Sequence, residues 1–209
     1  MHAGEQYHRL ILASQRARWT RARFQKLALE LLPADADVLD FGAGTGIDAK
    51  AYAAAGHRVR AHEPSDSMRA YLARHCRDEI ASGTVTMVKW PAPRRVHAIT
   101  ADFAVLNHFA DHGVLFRQFA DAIEPGGFVL ASMLSPWYLG DARHGWWWLN
   151  LVRVTRSGHS RRNGESGVHR FAPRAVARAA APHFRLERVM PRGFGLTTQL
   201  YMFLLLRRV

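Results

Sequence analysis

Val38-Leu39-Asp40-Phe41-Gly42-Ala43-Gly44-Thr45-Gly46-Ile47 is the stretch that decides the fold. It opens as a short apolar run, as a buried central strand does, and then places three glycines at alternate positions. Glycine tolerates a left-handed backbone and lets a ligand approach the main chain closely, so the run reads as strand, tight turn and helix start. Ile47 to Ala55 continues as a helix, and His57 to His62 alternates as a strand. Glu63 ends that strand 17 residues after Gly46, where a carboxylate can accept hydrogen bonds from ribose hydroxyls. Alternate glycines also occur in plain turns. In this context, with an acid closing the next strand, they describe a nucleotide-type site.

Outward from that pair, Ser65-Asp66-Ser67 caps a helix from Met68 to His75. Thr84 to Val88 and Ala98 to Ala101 are β-rich. A helix is expected from Gly113 to Ile123, with Leu115, Phe116, Phe119 and Ile123 on one face. Pro125-Gly126-Gly127 is expected to stop it before a strand at Phe128 to Ala131. A helix near Pro173 to Ala181 and strands at Phe184 to Val189 and Leu200 to Leu206 follow. Strands alternating with helices imply an α/β, doubly wound, mostly parallel sheet with helices on both faces. Phe24, Leu27 and Leu31 recur at helical spacing near the N-terminus. Residues 134–169 carry Trp137, Trp146, Trp147, Trp148 and many arginines without clean periodicity, and read as an excursion after strand five. The expected organisation is one domain over 1–209: an N-terminal helical lid (1–34), a cofactor-binding core (35–133), a substrate-side excursion (134–169) and the last helix and strands (170–209).

The chain of 209 residues is 48% hydrophobic, enough for one sizeable core. Lys and Arg number 29 against 17 Asp and Glu, a net charge of +12, and only Lys26, Lys50 and Lys89 are lysines. Such a balance reads as codon bias on a solvated surface, or as a match to acidic substrates, membrane surfaces or nucleic acid. Cys76 is the only cysteine, which excludes an internal disulfide or a Cys-based zinc site and suits a reducing, cytoplasmic setting or a fold indifferent to redox conditions. There is no run of 18 apolar residues, and no hydrophobic leader follows Met1. His108 and His112 have the spacing of metal ligands but lack a third, so no metal is expected.

Two cofactor classes use such a turn. A dinucleotide site has G-x-G-x-x-G and seats a pyrophosphate, which Asp40 would repel. Asp40 can instead orient an ammonium, as on S-adenosylmethionine (SAM). From Val38 to Leu130 the chain resembles the class I, Rossmann-like SAM-dependent methyltransferases of small-molecule type. The resemblance implies that the first motif, Asp40, Gly42, Ala43, Gly44, Thr45 and Gly46, binds SAM, with Glu63 and Pro64 at the ribose and Met68 at the adenine. The segment Thr100-Ala101-Asp102-Phe103-Ala104-Val105-Leu106-Asn107-His108-Phe109 resembles the fourth-strand motif, so that Asp102, Phe103 and Asn107 flank the methionine end. It further implies a seven-stranded sheet with an antiparallel last strand, and weakly a cofactor contact for Tyr7 in the lid. Many members carry an acid after strand three, whereas this chain reads Val88-Lys89-Trp90-Pro91, leaving adenine to backbone groups or a ring such as Trp90.

The function so implied is methyl transfer from SAM, with S-adenosylhomocysteine (SAH) as product, to an oxygen, nitrogen or carbon of a small molecule, amphipathic or lipid-like acceptors included. His108 is the candidate general base, with packing or capping as its structural alternative. Trp137, Tyr138, Trp146 and Trp147 are the candidate acceptor surface. Three consecutive tryptophans cannot all face one way on a helix, so at least one is expected to be exposed, line a pocket or meet a partner, the alternative being that they only pack the excursion against the core. With Arg153 and Arg156 nearby, peripheral membrane contact is a further option. An RNA methyltransferase is the alternative, though no Asn/Asp-Pro-Pro-Tyr/Phe motif, catalytic cysteine pair or appended RNA-binding domain is present. A non-catalytic interaction module and a nicotinamide-dinucleotide enzyme are the remaining readings.

Overall fold

A computed structural model describes residues 3–91, 94–161, 167–191 and 197–209. The strands of its main sheet are β1 (Asp37–Phe41), β2 (Arg58–His62), β3 (Val85–Met87), β4 (Val96–Ala101), β5 (Ile123–Leu134), β8 (Phe184–Met190) and β9 (Tyr201–Arg208), after a short β6 (His159–Arg161) and β7 (His169–Phe171). The main sheet has the order β3-β2-β1-β4-β5-β9-β8, while β6 and β7 form a separate antiparallel pair. β1 runs parallel to β2 and β4, and β2 to β3. β9 runs antiparallel to β5 and to β8. This is the mostly parallel, seven-stranded sheet with helices around it that the resemblance implies.

The chain divides into two compact units, Met1–Asp102 with Ala122–Gly127 and Phe103–Asp121 with Phe128–Val209. In the first, α1 (Ala3–Ala13) and α2 (Gln15–Leu31) precede the sheet, α3 (Ile47–Ala54) follows the glycine turn, and α4 (Asp66–His75) and α5 (Arg77–Ala81) follow β2. Val38, Leu39, Val59, Ala61, Ala98 and Ile99 form its buried strand layer. In the second, α6 (His112–Ala122), α7 (Gly145–Ser157) and α8 (Pro173–Ala180) accompany β5, β8 and β9. Phe116, Phe119, Trp147, Val154, Val176 and Leu204 form its interior.

Three expectations are corrected. The N-terminal helix is two helices, because Ser14 caps α2, its Oγ accepting from Ala17 N at 3.2 Å. The fifth strand starts at Ile123, so Pro125-Gly126-Gly127 lies inside it. Gly126 takes up the irregularity at φ +78, and a side chain on Gly127 would stand 2.5 Å from the His97 carbonyl oxygen. The excursion contains a regular helix, α7, whose buried stripe is Trp147, Asn150 and Val154. A polar residue in the middle of that stripe and two more tryptophans beside it hide the helical period. The short helix α5 carried no readable signal.

Candidate functional site

In the first unit the glycine turn joins β1 to α3. Gly42, Gly44 and Gly46 all have positive φ, of 80, 56 and 82 degrees. The turn is tied to the end of β2 by Gly42 N and Ala43 N, which both donate to the His62 carbonyl, at 2.8 and 2.9 Å. The glycines have separate tasks. A side chain at Gly46 would meet Cys76 Sγ at 2.7 Å and Leu72 Cγ at 3.0 Å, whereas at Gly44 it meets nothing closer than 4.0 Å. Gly46 lets α4 pack on the turn; Gly44 leaves open space above the backbone. Glu63 reaches back to the turn, accepting from Gly44 N and from Ser65 N, each at 2.8 Å. Those two bonds fix the carboxylate with other lone pairs available to ribose hydroxyls.

Beside Glu63 lies a cavity of about 440 Å³ lined by His62, Glu63, Pro64, Arg69, Met87, Val88, Lys89 and Trp90. Trp90 meets Phe41 edge-on at 5.1 Å, and Phe41 stacks on His62 at 5.3 Å. This gives one wall an aromatic surface suited to a flat base. Arg69 fixes the rim by donating to the carbonyls of Glu63 and Pro64. Met68, the neighbouring residue, is half-buried on α4.

Asp40, at the end of β1, is buried, and its Oδ2 has no hydrogen-bond partner among the described residues. Burial above all, then Asp48, Asp102 and Glu63, push its carboxyl well above the ordinary aspartate range, with Arg21 opposing. A cation delivered here would relieve that cost. Arg21 on α2 donates to Asp48 Oδ2, and Gln25 donates to Asp48 Oδ1 at 2.7 Å, which locks α2 to α3. α1 also bears on the turn: His8 Nδ1 and Thr45 Oγ1 share a hydrogen bond of 3.0 Å. The His8 ring packs on Tyr71 and His75, at 4.7 and 4.9 Å. A side chain at Gly4 would stand 2.7 Å from the Ser67 carbonyl oxygen, so glycine there lets α1 lie close on α4. The side chain of Tyr7 lies outside the described residues.

The second unit begins with the residues after Asp102. Phe103 and Ala104 are left-handed, with φ of 52 and 64 degrees, an uncommon conformation outside glycine that concentrates at functional sites. Ser132 holds the pair, its Oγ accepting from Phe103 N at 2.7 Å and its carbonyl from Ala104 N at 3.0 Å. Asn107 is buried, and both ends of its amide are occupied: Oδ1 accepts from Leu134 N at 3.0 Å and Nδ2 donates to the His169 carbonyl. His108 is exposed at the end of the 3-10 turn Val105–His108. His112 lies on α6, its Nε2 donating to the Leu106 carbonyl at 2.9 Å, whereas His108 ends the preceding 3-10 turn, so the two histidines share no helix face. No metal-holding cluster of His, Cys, Asp and Glu occurs among the described residues.

The four aromatic acceptor candidates are dispersed in this unit. Trp147 is 1% exposed and belongs to the interior. Trp146 is half-buried, with His144 stacked on it at 5.9 Å and the Arg170 guanidinium 5.8 Å from its ring. Trp137 and Tyr138 are half-buried and paired to the chain at Thr197, whose N donates to the Trp137 carbonyl at 3.0 Å. Sequence reasoning missed His8, Arg21, Asp48 and Ser132. Only Asp48, two residues past Gly46, carried a signal: an acid in the first turn of a helix.

The sequence pattern of the family described as a methyltransferase domain matches residues 12–184. The chain belongs to this methyltransferase family. S-adenosylmethionine is the family's methyl donor, and the residues present fit it: a buried carboxylate with one oxygen that no described residue meets, for a cationic group, an open glycine turn, and a carboxylate beside a cavity with an aromatic wall. Solved structures share the methyltransferase fold. The magnesium protoporphyrin IX methyltransferase ChlM from Synechocystis PCC 6803, with bound SAH, aligns at TM-score 0.66 and 17% identity over 99% of this chain and 94% of that one. The glycopeptide N-methyltransferase MtfA with SAH aligns at 0.63 and 15%, over 90% and 86%. The pyocyanin biosynthetic protein PhzM aligns at 0.62 and 14%, over 89% of this chain but 54% of that one, so the methyltransferase spans about half of that protein's length. No match is found among curated proteins.

Proposed function

We propose that this methyltransferase moves the methyl group of SAM to an oxygen, nitrogen or carbon of a small molecule. The observation that carries the donor site is Asp40 Oδ2, buried without a partner among the described residues, four residues before the open backbone at Gly44. Asp40 holds the ammonium, Glu63 the ribose hydroxyls, and Trp90 with Met87 and Val88 the adenine face. Bound SAM supplies an electrophilic methyl; the protein's part is to orient it and exclude competing water. For the acceptor, support comes from the neighbours' names, which specify methylation of magnesium protoporphyrin IX and of a glycopeptide. His108, exposed just after the left-handed Phe103-Ala104 pair, is the assigned proton acceptor.

Calorimetric titration with SAH tests the donor site. Binding by the wild type that is absent in a folded Gly44→Val supports the reading, and no binding by a folded wild type sinks it. For His108, a base role predicts that His108→Gln lowers kcat by about 10²-fold or more with SAH affinity unchanged. An unchanged kcat leaves transfer to orientation alone and removes His108 from the mechanism.

A further inference from the structure

The helix α7 has two faces of opposite kinds. Trp147, Asn150 and Val154 are buried on one side. The other side carries Trp148, Leu149 and Val152, which are 58%, 64% and 49% exposed. Their spacing makes them neighbours on the surface, and Arg153 and Arg156, both exposed, continue the same side by one turn. α7 contains no acidic residue, and Arg143 just before it is also exposed. Trp148 is held in place: its indole Nε1 donates to the Ala142 carbonyl at 3.0 Å and its ring meets Trp147 edge-on at 4.8 Å. Its one polar atom is thus satisfied by protein, and a rigid apolar ring faces outward. Trp19, 55% exposed in the first unit, differs, since the Arg23 guanidinium covers its ring at 4.6 Å.

We propose that the outer face of α7 docks on an anionic lipid surface, with Trp148, Leu149 and Val152 entering the headgroup boundary and Arg153 and Arg156 meeting lipid phosphates. Charge decides among the occupants of such a face. A second copy would bring arginine against arginine, whereas an anionic surface neutralises them. Nucleic acid would satisfy the arginines but leaves Leu149 and Val152 without a role, since phosphates and base faces seek cations and rings. A basic helix with Trp and aliphatic residues on its exposed side is the pattern of helices that lie in the membrane interface. Arginine stems can cover apolar surface while their heads stay with the phosphates. No described helix is long and apolar enough to cross a membrane, so the contact is peripheral.

The test is co-sedimentation of the full chain with phosphatidylcholine vesicles, with and without phosphatidylglycerol. The wild type is expected to sediment with the anionic vesicles, less so as salt rises. Trp148→Ser with Leu149→Ser and Val152→Ser should weaken that binding by about tenfold or more, since three interface-entering side chains are removed. A second variant, Arg153→Gln with Arg156→Gln, should abolish the preference for anionic over neutral vesicles while keeping α7 intact. SAH titration of both variants reports whether they are folded and is expected to be unchanged. A wild type that stays in the supernatant overturns the proposal, as does an apolar variant that sediments like wild type. So does a wild-type dimer that the apolar substitutions dissociate, or an RNA complex that they abolish. If SAH fails to bind the wild type but vesicle binding follows this pattern, the donor-site reading falls and the docking face stands.

Discussion

The end of β1 and the segment around α7 put their charged groups to different uses. At β1 the chain buries Asp40 with an oxygen that no described residue meets, and holds Gly44 open to space. Around α7 polar groups close on one another: Arg170 donates to the Ser135 carbonyl and, at 2.8 Å, to Asp141, while Asn107 bridges β5 and β7 through both ends of its amide. The open oxygen of Asp40 is a carboxylate oxygen just before the open glycine turn, which suits a charged ligand; the atoms left over near α7, Trp147 Nε1 and Ser160 Oγ, are neutral and buried among packed side chains. The charges differ as well. Asp48, Asp102 and Glu63 all act on Asp40, with Arg21 opposing them, whereas α7 is free of acids.

The self-contained region should suffer most from losing its anchor. Trp147→Ala should cost about 3–5 kcal/mol in stability, the usual range for emptying a buried large aromatic. Trp147→Phe should cost much less, because the indole Nε1 has no partner among the described residues to lose. Trp148→Ala, one residue on, removes one hydrogen bond and one edge contact and should cost about 1 kcal/mol or less. Chemical denaturation of the three variants checks the order, and equal losses for Trp147→Ala and Trp148→Ala would erase the distinction between the faces of α7.

The ligand-facing region should lose function before stability. Gly44→Val places a branched side chain at φ +56, in the space a ligand would enter, and should weaken SAH binding by about 100-fold or more. Gly46→Val drives into Cys76 and Leu72 and should chiefly lower Tm. The pair separates a glycine kept for a ligand from a glycine kept for packing.

These two regions also differ in how far the sequence reveals them. Gly42, Gly44, Gly46 and Glu63 are readable because strand, turn and helix follow one another locally, and the backbone demand is written as glycine. The sheet follows because its buried strands are continuous apolar runs. The partnerships that complete the site are distant in the chain: His8 with Thr45, Arg21 with Asp48, Ser132 with Phe103. No local pattern distinguishes those side chains from solvated neighbours. Likewise Asn107 carries a motif position, yet its amide is occupied by the backbone of β5 and β7, a use visible only once those strands are placed. The run of three tryptophans was legible as a problem, since they could not share one face; which one is buried depended on the stripe shared with Asn150 and Val154.

Removing a buried polar group from each region should give opposite signs. Asn107→Ala leaves the Leu134 N–H and the His169 carbonyl unmet and should cost about 2–3 kcal/mol. Asp40→Asn removes a carboxyl whose ionised form is disfavoured by burial and by Asp48, so the ligand-free protein should melt higher at neutral pH. Its SAH affinity should nonetheless fall by about tenfold or more, through loss of the charge facing the ammonium. Thermal melts with and without SAH read both effects, and an Asp40→Asn that melts lower without ligand would refute the account of Asp40 as a strained, ligand-directed acid.

The smallest effect expected is on pH dependence, and it reaches both regions. Burial is the first cause that holds His8, His57 and His75 in one unit, and His112 and His159 in the other, below the ordinary histidine value. A histidine lowered by folding binds its proton more readily in the unfolded chain. The stability it lends is therefore whole above about pH 6.5 and is lost as pH falls toward the lowered folded value. Tm should accordingly decline on acidification below about pH 6.5, with little change above it. His8→Gln can still hydrogen-bond Thr45 but cannot take up a proton, so its Tm should fall less steeply over that window while matching the wild type near neutrality. A parallel decline in both proteins would assign the acid sensitivity to the remaining histidines and leave His8 as a packing contact on the glycine turn.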